Sequence, residues 1–140
     1  MEAGRVEPDP RVGVDPTQCQ GVDLWKNDKP AYGLNGTYGG YLFAEQAVRV
    51  VEEHNTSEPL LLFVAFQNNH PPLQVPQEYI DRYPKEHQTT INGMMTFLDE
   101  SVGNITAALK ARQMWDNTLV VFMGDNGGFV NQGGDNAPLR

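Results

Sequence analysis

Two stretches of the chain repeat apolar residues at the three- and four-residue spacing of a helix that buries one side. In residues 41–54 this spacing predicts a first helix, with apolar positions at Phe43, Ala47, Val50 and Val51. Residues 88–113 predict a longer second helix. The core face predicted for it consists of Ile91, Met94, Met95, Leu98, Val102, Ile105 and Leu109.

Two shorter runs are continuously apolar, which is typical of strands buried on both faces. Residues 60–66 lie between a proline-containing break and a polar loop, and residues 118–123 end at a glycine-rich turn. The order strand, helix, strand predicts a βαβ unit, in which the two strands are parallel and the helix crosses between them. The expected fold class is therefore α/β.

Proline and glycine divide the rest of the chain. Pro8, Pro10 and Pro16 stop regular structure near the start, so residues 1–40 are expected to be an irregular N-terminal segment. Residues 41–140 are expected to form the folded domain. Within it, residues 67–86 are rich in proline and predict a loop.

Polar residues follow both predicted strands. His70 comes after the first, and Asp125 and Asn126 come directly after the second. Since ligands of open α/β sheets bind beyond the carboxyl ends of the strands, we expect these side chains to converge on one side of the sheet. A carboxylate and an amide carbonyl are hard oxygen donors suited to calcium or magnesium.

Each of these residues also has a simpler interpretation. Asp-Asn-Gly is a common turn sequence, which needs no metal. The imidazole of His70 could be satisfied by a carbonyl of its own loop. The residue pattern leaves both alternatives open.

Charge and composition exclude some classes of partner and of protein. The 140-residue chain has a net charge of -8, which argues against a nucleic-acid partner. No apolar run reaches the roughly 18 residues that a membrane helix needs. The single cysteine, Cys19, is either a free or buried thiol or one whose partner lies outside this sequence.

Three glycosylation sequons indicate passage through the secretory pathway, although the polar first residues do not resemble a signal peptide. The acceptor asparagines are Asn35, Asn55 and Asn104.

Four blocks of sequence resemble the type I sulfatase family, and within it the arylsulfatase B group. Residues 60–76 read LLLFVAFQNNHPPLQVP, and residues 91–109 read INGMMTFLDESVGNITAAL. Residues 117–128 read NTLVVFMGDNGG, and residues 133–140 read GGDNAPLR. The resemblance implies part of the alkaline-phosphatase-like sulfatase fold, in which parallel strands are joined by crossover helices.

The same resemblance implies hydrolysis of sulfate esters with the help of Ca²⁺. Asp125 and Asn126 match two calcium ligands, and His70 matches the histidine beside the sulfate and leaving group. The substrates implied are aryl sulfates or sulfated sugars of glycosaminoglycans, and the location implied is the lysosome or the secretory pathway.

The sequence departs from the family in one decisive motif. It contains no Cys-x-Pro-x-Arg or Ser-x-Pro-x-Arg, from which the family makes its formylglycine nucleophile. The first two aspartates of the calcium shell are also missing, so the chain is expected to be inactive alone.

A non-catalytic sulfatase-like binding protein is the alternative. A phosphatase or phosphodiesterase of the wider superfamily is a third interpretation, against which the Pro-Leu-Gln-Val-Pro stretch argues.

Overall fold

A computed structural model describes residues 24–128, 130 and 136–138, and Cys19 lies outside them. The described residues form a hairpin of β1 and β2 followed by three α-helices, and two short 3-10 helices lie at Lys85–His87 and Trp115–Asn117. Their bounds are β1 Trp25–Lys26, β2 Lys29–Pro30, α1 Gly39–Glu53, α2 Gln77–Ile80 and α3 Thr90–Ala111. None of the helices in the described ranges is long and apolar enough to cross a membrane.

The hairpin lies inside the segment for which irregular structure was expected. Its strands are antiparallel, with Trp25 opposite Pro30 and Lys26 opposite Lys29. The turn between them depends on Asn27, whose φ of 56° is a conformation that asparagine tolerates better than most residues. This is the one sheet that the described residues form.

Both helices predicted from the apolar spacing are confirmed, as α1 and α3. α3 begins with the Thr89 side chain, which accepts a hydrogen bond from the Asn92 amide at 3.1 Å, a cap that contributes about 1 kcal/mol. The helix continues through Gly93, where a methyl group would lie 2.9 Å from side-chain atoms of Ile80 and Val75. Gly93 therefore permits close packing of the segment around α2 against α3.

The core lies between α1, α2 and α3, and its centre is an aromatic cluster made by Tyr38, Tyr41, Tyr79 and Phe97. Phe97 is 2% exposed. Its ring packs edge-on against the three tyrosine rings, with centroids 5.1 to 5.5 Å apart. A second, smaller cluster joins α1 to the far end of α3 through Val51, Ala108 and Leu109.

The predicted core face of α3 is partly wrong. Met94 and Leu109 are buried as expected, but Met95 is 47% exposed, and Phe97 takes a central place in the core. The buried side of the helix includes small residues at Gly93, Ser101 and Ala108. Small side chains let the helices approach closely, so the contact face is centred slightly away from the stripe of large apolar residues.

Regular structure also occurs in the proline-rich stretch that was predicted to be a loop. α2 is a single turn of helix, and Tyr79 within it is buried in the aromatic cluster. The hydroxyl of Tyr41 on α1 donates a hydrogen bond of 2.6 Å to Glu78 on α2. Arg82 lies 4.3 Å above the Tyr79 ring and pairs with Glu100 of α3 at 2.6 Å. These contacts join α2 to both long helices.

The two predicted strands are not paired with any strand in the described residues. Along residues 60–66 burial still alternates with the period of a strand: Leu60 and Leu62 pack on the second core cluster, whereas Leu61 and Phe63 are 95% and 88% exposed. The helices therefore cover one face of this segment. Burial on both faces, as predicted, would need a further apolar layer.

Residues 118–123 are more exposed still. Phe122 and Met123 are 68% and 76% exposed, and Leu119 is 90% exposed. No hydrogen-bonded ladder joins this segment to residues 60–66 in the described structure, so their parallel arrangement stays a prediction.

Candidate functional site

His70 stands at the end of a tight turn that follows the first apolar segment. The turn spans residues 67–70, and the His70 amide donates a hydrogen bond to the Gln67 carbonyl at 3.3 Å. Asn69 has a φ of 71°, which places it in the left-handed region at the third position of the turn. Asparagine is one of the residues that adopt this conformation most readily.

The imidazole of His70 is exposed and contacts its own loop. Its Nδ1 atom lies 2.7 Å from the Pro71 carbonyl oxygen. Because a carbonyl oxygen only accepts hydrogen bonds, Nδ1 must carry the proton in this contact, and the lone pair of the neutral ring is then on Nε2. The loop-carbonyl interpretation is thus confirmed for Nδ1, and Nε2 is the ring atom available to a ligand.

Asn68 was not singled out by the sequence, yet it makes the contacts that hold this turn. Its side-chain amide donates to the Tyr38 hydroxyl at 3.1 Å and to the Met94 carbonyl at 3.2 Å. The neighbouring Asn69 amide lies 2.6 Å from the Met95 sulfur. The turn is therefore tied to the start of α1 and to the middle of α3. The consecutive asparagines before a histidine were the available sequence signal.

The Tyr38 hydroxyl is suited to receive this hydrogen bond. Burial raises the pKa of Tyr38 above its ordinary value, and donation from Asn68 opposes that rise only in part. The phenol consequently stays protonated at neutral pH and accepts from Asn68 as an uncharged group.

Asp125 and Asn126 are exposed at the end of the second apolar segment. The Asn126 amide nitrogen donates to the Gly127 carbonyl at 2.8 Å, so its Oδ1 atom is the part of the side chain that a cation would bind. The Asn136 side chain binds the backbone of Gly128 from across the loop. It accepts from the Gly128 amide at 2.7 Å and donates to the Gly128 carbonyl at 2.8 Å.

Gly127 allows this close approach. A methyl group at that position would lie 2.8 Å from the Asn136 Oδ1 atom, which is shorter than contacts that side chains normally make. A larger residue would therefore push Asn136 away from Gly128 and loosen the turn that carries Asp125.

The oxygen donors of Asp125 and Asn126 fit a hard cation in kind but not in number. Calcium takes about six to eight oxygen ligands, and two side chains supply a fraction of them. Within residues 24–128, 130 and 136–138 there is no group of three or more histidine, cysteine or acidic residues arranged around a metal position. Nor does a hydrogen bond or ion pair link His70 to Asp125 there, so their convergence stays a prediction.

The three sequon asparagines are exposed, as an acceptor of a glycan must be. Asn104 lies on the outer side of α3, and Asn35 lies in the loop before α1. In the sequon at Asn55, the side-chain oxygen accepts from both the amide and the hydroxyl of Ser57, at 3.2 and 2.8 Å.

Comparison with known proteins connects these turns to one family. The family model described as Sulfatase matches residues 17–139. Arylsulfatase J of Mus musculus is 35% identical over 128 residues, which are 86% of this chain and 21% of that protein. The uncharacterized sulfatase YdeN of Escherichia coli (strain K12) is 28% identical over 100 residues, which are 66% of this chain and 18% of that protein.

A solved structure, that of Ps i-CgsB in complex with k-i-k-neocarrahexaose, superimposes with a TM-score of 0.71 at 34% identity. It covers 80% of this chain, which corresponds to 25% of the solved one. The chain spans about a fifth of the length of the curated relatives that it matches. The fold is consistent with part of a sulfatase fold, and the chain belongs to the sulfatase family.

Proposed function

We propose that this chain forms part of a calcium-dependent sulfatase that hydrolyses sulfate esters. The observation that carries the proposal is the family match over residues 17–139, because it includes both the turn that presents His70 and the turn that presents Asp125. The formylglycine nucleophile has no counterpart motif in this sequence. It must be supplied by another part of the active enzyme.

His70 has the role of a hydrogen-bond donor to the sulfate or to the leaving oxygen. Its Nδ1–H is engaged by the Pro71 carbonyl, so Nε2 is the nitrogen that faces outward. Once protonated, Nε2 donates to an oxygen on which negative charge develops as the ester bond breaks.

Asp125 and Asn126 have the role of calcium ligands, through a carboxylate and an amide oxygen. When bound, calcium offsets the negative charge of the sulfate group in the transition state. The chain's own contribution is to hold these oxygens at the end of a turn that Asn136 fixes at Gly128.

In the complete enzyme, residues 60–66 and 118–123 would be parallel strands of one sheet, with α3 as the crossover between them. The exposed apolar side chains of both segments support this proposal, because each presents a face that nothing in the described residues covers. Parallel strands buried on both faces are continuously apolar, as these two segments are. In that arrangement His70 and Asp125 would lie beyond the same edge of the sheet.

The proposed substrates are aryl sulfates or sulfated sugars, with a specificity like that of arylsulfatase B. The relative named as an arylsulfatase supports the aryl-sulfate class, and the solved relative in complex with a neocarrahexaose supports the sugar class. Calcium inverts the local field, so an anionic substrate is compatible with the net charge of -8.

The proposal is tested by transplanting residues 17–139 into arylsulfatase J of Mus musculus in place of the matched segment. Turnover of a chromogenic aryl sulfate by this chimaera, reduced by the change His70→Ala, is the result we expect. A chimaera that folds, binds calcium and retains its formylglycine but gives no turnover would favour the alternative, a non-catalytic sulfatase-like protein. The absence of a nucleophile motif from this sequence is the observation that keeps that alternative.

The 140-residue chain by itself is expected to show no sulfatase activity, because it lacks the nucleophile. The purified chain is incubated with a chromogenic aryl sulfate and excess calcium, beside arylsulfatase J as the positive control. Turnover that rises with protein concentration, disappears in Asp125→Ala and persists in Asp116→Ala would contradict this prediction. Asp116 is exposed, so its replacement controls for the change in charge.

Asn104 is expected to carry a glycan when the parent protein passes through the secretory pathway to the lysosome or the outside of the cell. Its side chain is exposed on α3, away from the helix contacts, and is followed by Ile105 and Thr106. Peptide mass mapping with and without a glycan-removing enzyme measures the modification. Thr106→Ala should abolish it, and an unmodified Asn104 in the secreted protein would refute the prediction.

A further inference from the structure

The turn that presents His70 depends on contacts made before the histidine. The sequence leading into it places two asparagines side by side, and both side chains point back to the helices rather than outward. Asn69 supplies the backbone conformation, with φ at 71°. Asn68 supplies two hydrogen bonds to groups that are distant in sequence, one in front of α1 and one on α3.

Both partners of Asn68 belong to the packed aromatic cluster or its surroundings. Tyr38 packs edge-on against Phe97, which is 2% exposed at the centre of the aromatic cluster. Met94 is 2% exposed on the same helix as Phe97. The Asn68 amide therefore connects an exposed turn to the buried aromatic cluster between the helices.

We propose that Asn68 is a positioning residue: by bonding Tyr38 and Met94, it holds the 67–70 turn so that the His70 ring keeps its contact with Pro71 and presents Nε2. This inference deepens the proposed function and rests on it for its meaning in catalysis. The geometry itself does not depend on it. Asn68 does not touch the substrate in this scheme and acts through His70.

The first test reads the His70 ring directly in the 140-residue chain. Long-range ¹H–¹⁵N spectra at a pH of about 8.5, where imidazole is neutral, distinguish the Nδ1–H from the Nε2–H tautomer. In the unchanged chain the Nδ1–H form of His70 should predominate. In Asn68→Ala the ratio of the Nδ1–H to the Nε2–H tautomer of His70 should fall about fivefold. That is the change expected when one ordinary hydrogen bond, here the contact of Nδ1 with the Pro71 carbonyl, is lost.

Two further variants separate this effect from unfolding. Tyr38→Phe keeps the aromatic ring but removes one acceptor of the Asn68 amide, so it should shift the His70 ratio in the same direction by a smaller amount. Asn104→Ala removes an exposed asparagine side chain and should change nothing. His54 and His87 report whether the rest of the chain is intact. An unchanged His70 ratio in both Asn68→Ala and Tyr38→Phe would overturn the proposal.

The second test uses the arylsulfatase J chimaera and distinguishes the two levels of inference. A positioning residue should lower kcat on the order of tenfold to a hundredfold when replaced, with KM altered much less, since misplacement of a catalytic group affects the chemical step. If His70→Ala leaves kcat unchanged, the proposed role of His70 fails, whatever the spectra show. If His70→Ala lowers kcat but Asn68→Ala does not, the positioning role fails alone.

Discussion

Phe97→Ala is expected to lower the free energy of unfolding by about 3 to 5 kcal/mol, the usual cost of removing a buried phenylalanine. Phe97 is 2% exposed and its ring contacts three tyrosine rings, so the truncation leaves a cavity and removes three edge-to-face pairs at once. Small domains have about 5 to 15 kcal/mol of stability in total, so much of the folded population could be lost. Urea unfolding followed by circular dichroism measures the change.

Phe63→Ala is the matched control, because it makes the same chemical change at a side chain that is 88% exposed. Its expected cost is within about 0.5 kcal/mol, as for other surface substitutions. Equal losses in the two variants would show that the aromatic cluster is not the centre of the fold.

Asp125→Asn is expected to reduce turnover by the arylsulfatase J chimaera at least about a hundredfold, the scale on which preorganised charge contributes to catalysis. The change keeps the size and one oxygen of the side chain but removes the negative charge that would bind calcium. Initial rates with an aryl sulfate over a range of calcium concentrations measure it. The apparent affinity for calcium should fall together with kcat.

Asp116→Asn provides the comparison, since it removes the same charge from an exposed residue outside the turn. It should leave both the rate and the calcium dependence unchanged. Were Asp125→Asn to retain full turnover at low calcium, the assignment of Asp125 as a metal ligand would be wrong, even if the chimaera remained a sulfatase.

The sequence pattern identified the long helices well because each carries several turns of regular spacing. α1 and α3 were placed within about two residues, which is the ordinary uncertainty of helix ends. The predicted core face of α3 was partly wrong, because small residues mark the closest helix contact and carry little hydrophobic signal. Ser101 and Ala108 are buried there, whereas Met95 is nearly half exposed.

Short elements escaped detection for a related reason. α2 has four residues and each hairpin strand has two, so neither is long enough to show a period. Proline around α2 predicted a loop, although Tyr79 in that single turn is anchored by the aromatic cluster. Tertiary packing, which local sequence does not express, stabilises the turn.

The predicted strands show a different limit. The continuously apolar run of residues 60–66 predicted a strand buried on both faces, whereas the described residues cover one face only, and a strand exists only when a neighbour completes its hydrogen bonds. For the site, chain order selected His70, Asp125 and Asn126, and their roles remain predictions. Asn68 was overlooked because its importance lies in hydrogen bonds to Tyr38 and Met94, which are 30 and 26 residues away in sequence.

The exposed apolar side chains of residues 60–66 and 118–123 make the polypeptide prone to aggregate. Each segment is six or seven residues long, rich in β-branched, aromatic or leucine side chains, and free of charge and proline. Such segments stack readily into cross-β assemblies when they are exposed. Asp116 and Asp125 stand on either side of the second segment and act as charged gatekeepers, whereas the first has Glu58 and Pro59 before it but no charged residue after it until Glu78. When the chain is concentrated or partly unfolded, residues 60–66 should therefore be the first part of it to nucleate an insoluble deposit.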